Sequence, residues 1–183
     1  MQRLSGMLVG AVFGMVFVAI NAHAPLPSAM GTIFRSVAGL VLAGVIVMWF
    51  LAGRRIRATA SADTQEKHAS GARMFNRKYV VIVALEAVAL FGGIQVLRAL
   101  EWAPQAGVAW TALIVGVHFI ALWPVWRAVS ILIPGLGLTV LGLVGLIMVW
   151  TPAVEWVPFV SGVLSGLLLL TGSAFYAQRS FAS

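Results

Sequence analysis

Six long apolar runs, at about 4–22, 31–53, 79–98, 106–126, 128–150 and 157–177, leave this chain few ways to fold. A run of about 20 apolar residues matches a hydrocarbon core about 30 Å thick, and in that medium a backbone must satisfy its own hydrogen bonds. A helix does so within one segment. The runs are too long and too uniform for the alternating strands of an outer-membrane barrel. The expectation is an all-α polytopic membrane protein: one bundle over residues 1–183, six transmembrane helices in three hairpins.

Composition agrees. Hydrophobic residues make up 61% of the chain and charged residues 9%, against about a quarter charged in a soluble domain. The first run follows Arg3 and ends in Asn21-Ala22-His23-Ala24-Pro25, the outline of a signal peptide. It exceeds the usual ~7–15 residue core of such signals, and Pro25 directly after Ala24 fits cleavage poorly, so it reads as a retained first span. With no cysteine in the chain, disulfides, thiolate metal sites, palmitoylation and thiol nucleophiles are excluded together.

The charges fix an orientation. Of 12 Lys and Arg residues, all but Arg35 and Arg98 fall on the side shared by the amino terminus, the 54–78 loop, the Arg127 turn and the Arg179 tail. By the positive-inside rule that side is cytoplasmic, with both termini there, and a bacterial inner membrane is the expected location. Trp49, Trp123 and Trp126 fall near this interface, and Trp102, Trp150 and Trp156 near the other. The basic loop offers anionic lipid headgroups a partner. Without aromatic interleaving or a binding motif, it gives no sign of nucleic-acid recognition.

Two ionisable residues lie deepest. Glu86 is eight residues after Lys78 and His118 nine before Arg127, so at ~1.5 Å per residue both sit roughly 12 to 14 Å inside the same face. An acid and an imidazole at one depth on neighbouring helices need pairing, hydration or a shared proton, and are the first candidate site. Leu90, Gly93 and Leu97 share the helix face of Glu86, and Gln95 points nearly opposite. Thr111, two turns outward on the face of His118, and Asn21 are further candidates for a substrate or proton site. Thr139 and Thr171 could extend a polar lining.

Arg35, Arg98 and Glu101 are the expected charges at the outer mouth. Arg35 reads either as a snorkelling side chain or as an anion contact. Arg98 and Glu101 would pair if their helix continued that far. Gly6, Gly10 and Gly14 on the first helix, and Gly162 with Gly166 on the last, form small-residue faces on which a helix of the same chain or of a second copy could pack closely, so a homo-oligomer is one outcome. A proline-bearing outer turn (Pro25, Pro104, Pro152) followed by a basic stop (Arg54, Arg127, Arg179) recurs three times, a weak sign of repeated hairpins.

At Phe13-Gly14-Met15-Val16-Phe17-Val18-Ala19-Ile20-Asn21 and at Val115-Gly116-Val117-His118-Phe119, the chain resembles small six-helix membrane proteins common in high-GC Gram-positive bacteria. These share a first-helix Asn, a third-helix Glu and a fourth-helix Gly-x-His-Phe. The resemblance runs most of the chain and supports Asn21, Glu86 and His118; no activity is established for that group. A looser similarity to six-helix bacterial acid-stress membrane proteins rests on glycine-rich hairpins in the last third.

Three functions remain open. A proton-linked transporter or permease would use the Glu86/His118 seam; a non-catalytic structural, stress or accessory protein would use the glycine faces. An intramembrane enzyme acting on a lipid or isoprenoid would use Glu86 as proton donor. The enzyme reading lacks an aspartate-rich diphosphate motif, a phosphate-binding loop and Gly-x-Ser-x-Gly. Ser161 or Ser165 with His118 is its only hydrolase-like pairing. One Glu and one His are too few ligands for a metal, and no cofactor motif occurs.

Overall fold

The computed structural model describes residues 2–59, 77–126 and 129–182. Most of the 54–78 loop and the Arg127 turn lie outside the described residues. Among those residues every regular element is helical: α1 (Gln2–Asn21), α2 (Ser28–Thr59), α3 (Arg77–Ala99), α4 (Ala106–Trp126), α5 (Val129–Met148) and α6 (Leu164–Ala182). A short 3₁₀ turn (Val154–Trp156) and a π-helical turn (Pro158–Val163) lead into α6. Five helical stretches are long and apolar enough to cross a membrane; α1 offers a shorter apolar stretch, Gly6–Asn21.

α2 runs past the expected stop at Gly53 to Thr59. Its basic residues Arg54, Arg55 and Arg57 are good helix formers, so they end the apolar run without ending the helix.

Helices joined by short turns touch, but the packing does not divide into three hairpins. The most extensive contacts are α4 with α5 and α1 with α6, each joining helices from different expected hairpins. Going across the bundle, the order is α3, α4, α5, α6, α1, α2, with α2 also reaching α6. Glycines dictate this order. Each glycine lets two backbones approach, and between membrane helices close packing, not hydrophobic expulsion from water, is the available attraction. On the α1–α6 line a Cβ at Gly14 would stand 2.7 Å from the Gly166 carbonyl, and one at Gly10 2.8 Å from Ser173 Oγ. On the α4–α5 line a Cβ at Gly142 would stand 2.5 Å from Leu113 N, and one at Gly116 would strike the backbone of Thr139.

A main apolar cluster of Met7, Ala11, Val18, Val45, Val163 and Leu170 lies along α1, α2 and α6. A smaller one, Val115, Leu138 and Leu169 with Leu90 against it, ties α3 to α4, α5 and α6.

Candidate functional site

α3 and α4 run antiparallel, and the connection between them is shaped by the end of α3. The helix closes at Ala99 with Glu101 N–H donating to Arg98 O (3.1 Å) and Trp102 N–H to Leu97 O (3.0 Å). Glu101 sits at φ 56°. This is a Schellman closure with glutamate at the left-handed position usually held by glycine. It corrects one expectation: the helix does not continue, and Arg98 and Glu101, both exposed, form no ion pair among the described residues. Trp102, directed by this turn, meets Trp150 edge to face at 4.9 Å, joining the α3–α4 and α5–α6 connections.

Two polar contacts help to hold α3 on α4. Nearer the turn, the Trp110 indole fills the notch left by Gly93 and donates from Nε1 to Ala89 O at 3.0 Å. Two turns deeper, His118 Nδ1 stands 2.9 Å from Glu86 Oε2. The depth match read from the sequence thus becomes a contact. It is close but not aligned as a hydrogen bond, so the buried Nδ1 lacks a hydrogen-bonding partner. An ionised side chain at the bilayer centre costs about 2.5–3.5 kcal/mol on insertion scales, so acid and base at this depth are costly unless each neutralises the other.

The pair lies at the edge of the bundle. Side-chain exposure is 12% for His118 and 23% for Glu86. Their chain neighbours Leu85 and Val117 are exposed. In a bilayer these side chains meet acyl chains, so the open side of the pair faces lipid.

Other sequence candidates lie elsewhere. Thr111 donates to Gly107 O at 2.8 Å, Thr139 to Gly135 O at 2.8 Å, and Thr171 to Leu167 O at 2.8 Å. Each hydroxyl donates its proton to a carbonyl of its own helix. Asn21 is buried in another interface: its Nδ2 donates to Phe17 O at 2.8 Å, and its side chain fills the space above Gly162 in the π-helical turn. Asn21 Oδ1 has no partner among the described residues. Arg35 Nε donates to Ala19 O at 3.1 Å, placing a cation on a terminal carbonyl of α1, a favourable position at a helix C-terminus.

The glycines separate in the same way. Gly10, Gly14, Gly162 and Gly166 all lie in the α1–α6 seam, whereas Gly6 has nothing near it. Ser161 donates to Leu141 O at 2.8 Å and so bridges to α5, while Ser165 Oγ is buried and unpartnered. Neither serine bonds to His118.

Sequence reading missed Trp110. Its signal was a large residue four positions into α4 opposite a glycine five positions before Arg98, a big-to-small match at equal depth from the outer turn.

Searches of protein-family models, curated proteins and solved structures returned no match. The chemistry of the α3–α4 site therefore stands on its geometry.

Proposed function

We propose that this multi-pass membrane protein is a proton-linked transporter or permease for a small molecule, with Glu86 and His118 as its proton site. The six-span frame, cytoplasmic termini and bacterial inner membrane expected from the charge distribution belong to the same reading. The observation that carries it is a base and an acid 2.9 Å apart in an apolar span without an aligned hydrogen bond between them. A pair serving only to lock two helices gains most from an aligned bond that offsets desolvation. An unaligned pair is free to pass its proton on, and imidazole is the side chain whose charge changes most readily near neutral pH. α3, held by few contacts at the edge, is the element best able to move with that proton.

A second reading, a structural or accessory protein, is favoured by Trp110, which pins α3 to α4 independently of the pair. Proton release from purified protein in nanodiscs during a pH titration separates the two. Transport predicts a proton that disappears in Glu86→Gln while the melting temperature holds. Unchanged proton release with a large drop in melting temperature would leave the structural reading standing and remove the first.

A further inference from the structure

The open side of the pair, together with its charge balance, indicates what else it binds. Glu86 is the only ionisable residue of α3 between Tyr79 and Arg98, His118 is the only one in α4, and α5 has none. α6, which reaches the same apolar cluster through Leu168 and Leu169, carries only Tyr176 and Arg179, at its far end. Tyr79 is seven residues before Glu86 on its helix face, roughly 10 Å away along the axis. Among the described residues, therefore, no fixed cation stands beside the carboxylate. When the pair holds its proton, as carboxylate with imidazolium or as acid with imidazole, it is neutral. When the proton leaves, one negative charge remains in a low-dielectric setting.

We infer that the proton-free Glu86–His118 pair binds an apolar monovalent cation, entering sideways from the bilayer between α3 and α4. Charge requires this valence: one proton leaving makes room for one positive charge, and a neutral or anionic ligand would leave the carboxylate uncompensated. The entry route requires the apolar body: the pair is itself partly open, and its chain neighbours Leu85 (64% exposed) and Val117 (47%) face acyl chains. Hydrated sodium or potassium would have to shed its water there and would find one carboxylate and one imidazole, too few ligands to replace it. An organic cation with its charge spread over an apolar skeleton loses little on entry. Phe119, whose ring lies 5.9 Å from that of His118, adds an aromatic surface near the charge. The exchange balances as one proton released to water per cation bound, with no net charge left in the site. This inference rests on the proton-site reading above.

The test uses the full chain in nanodiscs and tetraphenylphosphonium as probe, with isosteric tetraphenylborate as the control anion. The expected result is saturable cation binding whose affinity rises about tenfold per pH unit while the pair is protonated, one proton for one cation. One proton should appear per cation bound, Glu86→Gln should abolish saturable binding, and tetraphenylborate should bind no differently to the two proteins. Binding that ignores pH and survives Glu86→Gln is partition into lipid and overturns the inference. Glu86-dependent proton release without cation binding overturns it while leaving the proton site intact. Absence of that proton release removes both. Should Glu86→Gln fail to fold, the proton count and pH slope of the unaltered protein still decide.

Discussion

The last helix and the third answer the same membrane in opposite ways. More than half of the apolar span ending in α6 is buried, and none of the α3 span is. α6 and the turn before it meet α1 on one side and α5 on another through glycines and small side chains, so backbones touch backbones. α3 meets chiefly α4, through one indole in one notch, one leucine and one acid–base contact. Dense packing of small residues makes an element expensive to move, whereas a few directional contacts can be broken singly. The comparison assigns scaffold to the α1–α6 seam and movement to α3.

The largest expected effect is at the seam. Gly166→Val adds a branched side chain where even a Cβ would stand 2.6 Å from the Gly14 carbonyl; overpacking of this kind costs about 1–3 kcal/mol or more. Thermal unfolding in detergent should show a large drop in melting temperature. Gly92→Ala, on α3 with open space around it, should leave the melting temperature within error. Equal losses at both sites would erase the distinction between the regions.

A smaller effect is expected at the indole. Trp110→Phe removes the donor to Ala89 O, a contact worth about 0.6 kcal/mol on average between membrane helices. Amide exchange should quicken in α3 and remain slow in α6. If both helices exchange faster, α3 is part of the scaffold.

A change of similar size, opposite in sign, is expected at the outer turn. Glu101→Gly relieves a non-glycine residue at φ 56° and should add about 0.5–1 kcal/mol, read as a modest rise in melting temperature. A fall instead would mean that the Glu101 side chain holds the outer turn.

Much of this contrast was legible in the sequence and part was not. Membrane class and helical content followed from run length, because hydrocarbon tolerates few backbone solutions. The shared depth of Glu86 and His118 followed from counting inward from Lys78 and Arg127, since depth is linear in residue number along a helix; their contact did not, because depth leaves helix rotation open. Helix order was hidden, because short turns suggest neighbours in sequence while glycine faces choose neighbours by shape. Gly14 and Gly166 could be recognised as packing residues, but nothing in either segment said that they meet. The threonines show a local constraint invisible to depth counting: a hydroxyl in a helix can bond the carbonyl four residues back, as Thr111 and Thr139 do, which takes up its proton. Glu101 misled because spacing alone does not reveal that the helix has closed.

The pairing of the first helix with the last also sets a clock. α1 is made before the other helices described, yet the surface that covers its glycines and Asn21 belongs to α6 and the turn before it, some 140 residues later in the sequence. At synthesis rates of about 5–20 residues per second, α1 waits on the order of ten seconds for its partner. During that interval Asn21 lacks Gly162, and α2, which docks on α1 from the other side, is the neighbour available to shelter the helix. Assembly of the scaffold therefore waits for α6, and a chain released before α6 emerges would carry an α1 with its glycine face uncovered.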